Sequence, residues 1–300
     1  MSDKFNRIYR KSIEDPENFW REASDDIFWF KKPSKILNKS NPPFYKWFED
    51  GVTNTCYNAL DIHIDKGQGK KTALIYDSPI TGNKSKLTYE ELRSKVSKFA
   101  GALTNQGVGK GDRVIIYMPM IPEAVIAMLA CGRIGAIHSV VFGGFASNEL
   151  ASRIDDSKAK ILVTASCGFE PGRTVEYKPL VDEAVNLANH KIDKMILFQR
   201  KGHEAKLNAP NEISWEEALA DAKDTDCVKM NSNEFAYILY TSGTTGTPKG
   251  IVRDIGGHIV ALKWTMKNIY NIDEGDIWWS ASDIGWIVGH SYIVYAPVSY

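Results

Sequence analysis

Residues 240–250 read YTSGTTGTPKG, a run of glycines and hydroxylated side chains that is closed by one lysine, Lys249. Glycine lets the backbone adopt positive φ angles and come close to a ligand. Successive N–H groups in such a turn can form a concave anion-binding site, and hydroxyls and an ammonium group add further donors. The stretch therefore predicts a loop that binds polyphosphate, with an ordinary glycine-rich surface turn as the alternative.

The spacing of this stretch excludes the P-loop of kinases and GTPases. That motif needs a glycine, four further residues, and then Gly-Lys-Ser/Thr. Counting from Gly243, the second required glycine is Pro248 and the required hydroxyl is Gly250. The hydroxyl that binds magnesium in a P-loop is therefore missing.

Composition and charge indicate an ordinary soluble globular chain of 300 residues, with 43% hydrophobic and 25% charged residues. Lys+Arg and Asp+Glu both number 37, so the net charge is zero and no nucleic-acid partner is predicted. The most apolar stretch, residues 124–145, contains Arg133 and His138 and predicts a buried helix and a strand rather than a membrane span. We expect a cytoplasmic protein without a membrane partner, and the sequence does not predict an oligomeric state.

The four cysteines are scattered and show no metal-binding spacing, which predicts reduced thiols rather than a zinc site.

The order of predicted elements indicates an α/β fold with mostly parallel sheets flanked by helices. Residues 1–65 are rich in aromatic side chains and predict short helices and loops wrapped on the main body. From about Thr72, strands and helices alternate. Predicted strands cover residues 72–76, 114–117, 137–142, 161–163, 195–198, 235–240 and 276–279, and predicted helices cover 88–107, 122–134, 149–154, 180–188 and 257–270. Residues 79–86 predict a turn-rich loop.

Three further segments narrow the interpretation. Residues 9–20 read YRKSIEDPENFW, residues 138–145 read HSVVFGGF, and residues 283–292 read DIGWIVGHSY. Together with the glycine loop they resemble the adenylate-forming superfamily and, within it, the short-chain acyl-CoA synthetases. The resemblance spans nearly the whole chain. It implies that residues 1–65 are the N-terminal leader of these enzymes and that residues 66–300 are an AMP-binding domain, truncated on its C-terminal side.

The resemblance implies a two-step ligase that uses ATP, Mg²⁺ and coenzyme A (CoA) and releases AMP and pyrophosphate. Propionate or acetate is the small-molecule acid. ATP-phosphate contacts are implied for Thr241, Ser242, Gly243, Thr244, Thr245, Gly246, Thr247 and Lys249. CoA contacts are implied for Gly143, Gly144, Glu170, Pro171, Gly172, Arg173 and Val288. The acyl pocket is implied to include Trp286, Ile287 and Val288. We expect Trp278 and Trp279 in the core and assign His290 no acid–base role.

Two positions favour propionate over acetate. Acetate-type enzymes usually carry threonine where Val288 stands and arginine where Glu170 stands. An apolar group in place of a hydroxyl makes the channel slightly more apolar, but one methylene contributes only about 1–3 kcal/mol of discrimination. Acetate–CoA ligase is therefore the second hypothesis.

The C-terminal residues, 290–300, form an apolar run that we expect to lack packing partners, as in a fragment of a longer protein. In the family, the catalytic lysine and the magnesium-binding glutamate lie beyond Tyr300. No catalytic residue and no metal ligand is therefore predicted within this chain, and we expect it to complete neither half-reaction alone. A non-catalytic nucleotide- or CoA-binding module is the alternative from another functional class.

Overall fold

The computed structural model describes residues 3–241 and 248–300. Its helices are α1 (Asp3–Glu14), α2 (Pro16–Ser24), α3 (Ile62–Asp65), α4 (Tyr89–Asn105), α5 (Pro122–Ile134), α6 (Ser147–Ser157), α7 (Tyr177–Leu187), α8 (Trp215–Ala220), α9 (Gly256–Asn268), α10 (Ile287–Gly289) and α11 (Ala296–Val298), with π-helical stretches at Tyr57–Asp61 and His290–Tyr295. Its strands are β1 (Leu37–Asn38), β2 (Lys46–Trp47), β3 (Val52–Thr53), β4 (Thr72–Ser78), β5 (Asn83–Thr88), β6 (Arg113–Tyr117), β7 (Ile137–Val140), β8 (Ile161–Ala165), β9 (Cys167–Glu170), β10 (Arg173–Glu176), β11 (Lys194–Phe198), β12 (Glu212–Ser214), β13 (Met230–Asn231), β14 (Phe235–Thr241) and β15 (Lys249–Asp254).

The largest sheet has seven strands in the order β12-β11-β8-β6-β7-β14-β15. Every neighbouring pair in it is parallel except the last, in which β15 runs antiparallel to β14. This sheet confirms the predicted α/β class with mostly parallel strands.

Helices cover both faces of this sheet. Along β6, Val114 and Ile116 join the core formed with α4, α5 and α8, whereas Ile115 and Tyr117 join the core formed with α6 and α7. Successive side chains of a strand point to opposite faces, so one strand contributes to both cores. The buried strands therefore read as continuous apolar runs.

The sequence signals predicted for α4 and α5, which pack on the same face of the sheet, are confirmed. The Thr88 hydroxyl accepts a hydrogen bond from the Glu91 N–H, and the Glu91 carboxylate accepts one from the Thr88 N–H, which completes the predicted capping box at the start of α4. Pro122 occupies the first turn of α5, where its missing N–H has no cost, and the helix ends at Ile134 as predicted.

The aromatic-rich N-terminal residues pack onto the main body through short elements, as predicted. Trp29, Ile36 and Phe48 form a separate small core with Ile259 and Val260 of α9. All four cysteines are free thiols in this structure. No helix in the described ranges is both long and apolar enough to cross a membrane.

Two predictions of local structure are wrong. Residues 79–86 were expected to form a loop, but β5 begins at Asn83 and pairs with β4 in an antiparallel hairpin. Its side chains up to Lys86 are exposed and polar, so no apolar alternation marks this strand. Residues 276–279 are not a strand, because no described strand pairs with them.

The side chains of residues 277–279 still point alternately outward and inward, as they do in an extended chain. Trp278 turns inward and donates from Nε1 to the Tyr292 carbonyl at 2.7 Å. Its neighbours Ile277 and Trp279 are 80% and 81% exposed. The expected core position is therefore correct for Trp278 and wrong for Trp279.

The apolar run at residues 290–300 has packing partners, contrary to the sequence-based expectation. His290, Val294 and Tyr295 are buried. The Tyr89 hydroxyl donates to the Val298 carbonyl at 3.2 Å, and Lys263 Nζ donates to the Ser299 carbonyl at 2.6 Å. The run reaches α4 and α9 across the fold, a tertiary contact that the local sequence does not indicate.

Buried histidines should make this fold sensitive to acid. Burial lowers the pKa of both His63 and His290 to about 4, so the folded protein holds each ring neutral. Unfolded histidine titrates near 6.5, so the unfolded chain binds more protons between about pH 6.5 and 4. The free energy of unfolding should fall across this window by up to about 1.4 kcal/mol per pH unit for each histidine. Urea unfolding at several pH values measures this slope.

Histidine variants separate this effect from the titration of carboxylates. His63→Gln should make the slope between pH 6.5 and 4 shallower, because it removes one buried titrating group. His203→Gln, at an exposed position, should leave the slope unchanged. An unchanged slope in His63→Gln would contradict the assignment.

Candidate functional site

The predicted site residues follow strands that end at one edge of the sheet. The segment containing Gly143 and Gly144 follows β7, the β9–β10 hairpin follows β8, and the glycine loop follows β14. Because β8, β6, β7 and β14 are parallel neighbours, their carboxyl ends lie at the same edge. In α/β sheets, ligands bind outside the carboxyl ends of the strands. This edge is therefore the candidate site.

The glycine loop connects two antiparallel strands. Thr241 at the end of β14 lies opposite Lys249 at the start of β15, and both side chains are exposed. The predicted residues Ser242, Gly243, Thr244, Thr245, Gly246 and Thr247 lie outside the described residues. The element that follows these residues is a strand, β15, whereas a helix follows a P-loop. Within the described part of the chain, no carboxylate lies within 4.0 Å of Lys249 Nζ, so its charge is not neutralised there.

Two buried tyrosines contact the turn that follows β7. The Tyr117 hydroxyl donates to the Phe145 carbonyl at 2.8 Å. At Gly143 a Cβ atom would overlap the Tyr177 hydroxyl, so only glycine fits there. Gly144 is exposed on the outer side of the turn. At both glycines a neighbouring side chain occupies the place of a Cβ atom, Tyr177 at Gly143 and Phe142 at Gly144, so the tight turn requires glycine at both positions.

Trp286 lies against this turn from a segment that is distant in sequence. Its ring centroid is 5.6 Å from that of Phe142 and 6.0 Å from that of Phe145. The backbones also meet, since a Cβ atom on Gly285 would lie 2.9 Å from Phe142 Cα. Trp286 is 46% exposed, so one part of its ring packs on the turn and the other part faces outward.

The two predicted pocket residues that follow Trp286 are not in the core. Ile287 and Val288 are 48% and 49% exposed at the start of α10. His290 is buried, and its Nδ1 lies 3.0 Å from the Ile284 carbonyl. Burial keeps its imidazole neutral by lowering its pKa to about 4. The apolar side chains of this segment face outward, whereas its histidine packs inside.

The β9–β10 hairpin carries an ion pair at its tip. Glu170 lies opposite Arg173. Glu170 Oε2 accepts a hydrogen bond from Arg173 Nε at 2.7 Å and also lies 2.7 Å from Arg173 Nη2. Pro171 and Gly172 form the turn between them, with Gly172 at φ +78°. The Glu170 carboxylate therefore neutralises the neighbouring guanidinium.

Tyr177 connects the hairpin to the turn after β7. A Cβ atom on Gly168, at the base of the hairpin, would lie 2.9 Å from the Tyr177 hydroxyl, which also contacts Gly143. Burial raises the pKa of Tyr177, and the nearby Asp283 adds to the shift, so the hydroxyl is a neutral donor. The two implied CoA segments are thus adjacent, in contact with one buried phenol.

Sequence reasoning missed Arg153, which connects the turn after β7 to the strand that enters the glycine loop. Its guanidinium carbon lies 4.8 Å from the Phe145 ring centroid and 5.2 Å from the Tyr240 ring centroid. Arg153 is 5% exposed, and its Nη1 donates to the Glu149 carboxylate at 2.7 Å. The i,i+4 spacing of Glu149 and Arg153 on a predicted helix was a signal in the sequence, but the aromatic partners were not.

Arg200 is a second missed cation at this edge. It follows β11, and its guanidinium carbon lies 4.7 Å from the centroid of Phe169, the residue before Glu170. Its N–H donates to the Ser166 hydroxyl at 2.8 Å. No carboxylate of the described residues lies within 4.0 Å of its guanidinium. Unlike Arg173, it therefore leaves an unpaired positive charge beside the hairpin.

Comparisons with known proteins agree with this geometry. Residues 63–300 match the family model of the AMP-binding enzyme, and residues 5–59 match that of the acetyl-coenzyme A synthetase N-terminus. Acyl-CoA synthetase short-chain family member 3, mitochondrial, from Rattus norvegicus is 54% identical over 98% of this chain and 43% of its own length. The human protein of that name is 53% identical over the same shares. Acetyl-coenzyme A synthetase of Xylella fastidiosa is 43% identical over 98% of this chain and 46% of its own length.

A solved structure shares the fold. Acetoacetyl-CoA synthetase from Streptomyces lividans superposes with a TM-score of 0.87 at 24% identity, over 97% of this chain and 44% of that one. The chain thus spans less than half the length of these relatives. The family match over residues 63–300 covers most of the chain, and the loop, turn and hairpin of the candidate site all lie within it. The chain belongs to the family of AMP-binding, adenylate-forming enzymes, and its relatives there are short-chain acyl-CoA and acetyl-CoA synthetases.

Proposed function

We propose that this chain forms the ATP-phosphate, CoA and acyl-binding part of an AMP-forming short-chain acyl-CoA ligase. Propionate is the preferred acid and acetate the second. The observation that carries the proposal is that the flanks of the glycine loop, the turn at Gly143 and the hairpin at Glu170 converge at one edge of a parallel sheet. Such an edge is where nucleotide ligands bind in α/β folds.

The first reaction step explains why this edge is rich in donors. A carboxylate oxygen attacks the α-phosphorus of ATP, a P–O bond forms, and the bond to pyrophosphate breaks. An anion must thus approach a polyanion, so the charge of the departing pyrophosphate has to be stabilised by donors that are already in place. Thr241 and Lys249 hold the two ends of the loop that supplies such donors, and Lys249 adds a charge that no described carboxylate neutralises.

The second step requires a channel for CoA. The CoA sulfur attacks the carbonyl carbon of the acyl-adenylate, a C–S bond forms, and AMP leaves. The turn at Gly143 and Gly144 exposes Gly144 and lies beside the ring of Trp286, which suits the passage of a thin pantetheine chain. Arg173 and Arg200 are the cations close to this path, and guanidinium groups suit phosphate oxygens.

The one cluster of three potential metal ligands among the described residues does not suit magnesium. Among them, one group of three potential ligands lies close together, Cys56, Asp61 and Cys227. Mg²⁺ requires oxygen ligands in an octahedron, so two sulfur atoms do not suit it. We therefore derive no step through a metal bound by this part of the chain.

The preference for propionate rests on Val288. Its side chain is 49% exposed beside Trp286 and Ile287, where an acid substrate would contact it. Chain identity is higher to the short-chain family member 3 proteins, at 53–54%, than to the acetyl-coenzyme A synthetases, at 43%. The names of the family member 3 proteins do not state which acid they use. The identities therefore support the short-chain acyl-CoA synthetase branch, and a substrate panel decides between propionate and acetate.

A cytoplasmic location is also a proposal. The names of the rat and human relatives include a mitochondrial location, so organelle fractionation is the measurement that decides it.

A substrate panel tests the proposed activity. Because the chain spans about 43% of its relatives, the assay uses a polypeptide of family length that contains these 300 residues. ATP-dependent thioester formation should show a larger kcat/KM for propionate than for acetate. Val288→Thr should shift this ratio toward acetate by about tenfold, since one methylene contributes about 1–3 kcal/mol. Val185→Thr, on α7, should leave the ratio unchanged. A larger kcat/KM for acetate in the unmodified protein would reject our order of acids, and no thioester with any short-chain acid would reject the ligase.

The ion pair at the hairpin tip generates a second prediction. Glu170→Gln should free Arg173 to pair with CoA phosphates and lower the KM for CoA about threefold, because exposed ion pairs are worth at most about 1 kcal/mol. The decrease in KM should be smaller with 3′-dephospho-CoA if Arg173 pairs with the 3′-phosphate of CoA. Glu216→Gln, an exposed glutamate on α8, is the matched control. A rise in the KM for CoA would show instead that Glu170 orients Arg173 for binding.

A further inference from the structure

A cluster of two thiols, one carboxylate and one guanidinium lies away from the candidate site. The sulfur atoms of Cys56 and Cys227 and a carboxylate oxygen of Asp61 all lie within 4.8 Å of one another. Arg133 Nη1 lies 3.7 Å from Cys56 Sγ and 3.1 Å from Cys227 Sγ. It also donates to Asp61 Oδ2 at 2.7 Å.

The backbone holds the two cysteines close to each other. Strands β3 and β13 are antiparallel, with Thr53 opposite Met230. The chain is helical at Cys56, beyond the end of β3, and the Cys56 and Cys227 sulfur atoms lie within 4.8 Å of each other there. The chains keep their proximity there without strand pairing, because the side-chain amide of buried Asn54 donates to the carbonyls of Val228 and Gly132, both at 2.9 Å.

A metal ion does not suit this cluster. The Arg133 side chain is fully buried, and its Nη1 contacts all three potential ligands. A bound cation would have to share that space with a guanidinium, which is always protonated. The guanidinium instead stabilises negative charge on whichever sulfur becomes a thiolate.

We propose that Cys56 and Cys227 are a modification site, an oxidisable pair that forms an intramolecular disulfide when a peroxide reaches it. Two S–H bonds and the peroxide O–O bond break, and one S–S bond forms. The two thiols lose two electrons and two protons, which convert hydrogen peroxide into two molecules of water.

Exposure sets the order of the two steps. Cys227 is partly exposed and Cys56 is fully buried, so the Cys227 sulfur meets the peroxide first and becomes a sulfenic acid. The Cys56 sulfur then attacks it and displaces hydroxide, which leaves as water after protonation. The hydrogen bond with Cys56 and burial raise the pKa of the Cys227 thiol. The thiolate is therefore scarce at neutral pH, and the reaction is slower than that of an exposed low-pKa cysteine.

The disulfide would join two parts of the chain that the fold now holds by packing and hydrogen bonds alone. Cys56 lies in the part that matches the acetyl-coenzyme A synthetase N-terminus, residues 5–59. Cys227 lies in the connection that leads through β13 into β14, the strand that enters the glycine loop. Oxidation would thus fix the N-terminal residues to the polypeptide that carries the loop.

Mass spectrometry of the 300-residue protein tests this site. After treatment with hydrogen peroxide and blocking of free thiols under denaturing conditions, two of the four cysteines should escape alkylation. The mass before alkylation should fall by about 2 Da, because a disulfide forms with loss of two hydrogens. Peptide mapping should join the peptides of Cys56 and Cys227, and a reductant should restore both thiols. The melting temperature of the oxidised protein should rise, because the bridge restricts the unfolded chain.

Variants and a second oxidant sharpen the result. Cys56→Ser and Cys227→Ser should each abolish the fall in mass, whereas Cys167→Ser, at a buried cysteine of β9, should retain it. The map of the unmodified protein is decisive even if a variant fails to fold. A disulfide between other cysteines, stable oxygen adducts on Cys227 without a bridge, or no change in mass with either hydrogen peroxide or diamide would each overturn the proposal.

Discussion

The parallel direction of the central strands is the constraint on which the rest of this molecule depends. Strands that run the same way must end at the same edge, so the segments that follow β7, β8 and β14 meet there although they are far apart in sequence. The antiparallel partner β15 then returns the chain along β14 and sets Lys249 opposite Thr241. The pairing scheme of the sheet, more than any single side chain, therefore places the flanks of the glycine-rich sequence that we propose binds phosphate at the same edge as the segments implied to bind CoA.

Aromatic rings and guanidinium groups connect these segments across the edge. Arg153 lies between the rings of Phe145 and Tyr240, and Arg200 lies over Phe169. A guanidinium over a ring face is attracted to the ring and still keeps its positive charge. Arg153 is buried and paired with Glu149, whereas no carboxylate of the described residues lies within 4.0 Å of Arg200, which therefore keeps an unneutralised charge at this edge in a protein whose net charge is zero. We therefore propose that the local arrangement of charge, and not the total charge, suits this edge to polyphosphate.

The sequence predicts those parts of the fold that local chemistry decides. The capping box at Thr88, the first-turn proline Pro122 and the buried apolar strands are all visible in short windows, and they are confirmed. Apart from β5, which pairs with the neighbouring strand β4, the errors lie where a distant partner decides the outcome. Trp279 was expected in the core, but its segment has no strand to pair with among the described residues. The pairing of Glu170 with Arg173 and the contacts of Arg153 likewise depend on a register and on rings that the local sequence does not specify.

The central claim is that one edge of the sheet binds both ATP and CoA. Hydrogen–deuterium exchange on the family-length polypeptide, with each ligand added separately, tests it most directly. ATP should slow exchange in peptides covering residues 237–254, and CoA should slow it in peptides covering residues 142–146 and 167–176. The two sets of peptides should respond to different ligands, because we propose that the loop contacts the ATP phosphates and that the hairpin contacts CoA. Binding of either ligand with exchange unchanged in all of these peptides would contradict the account.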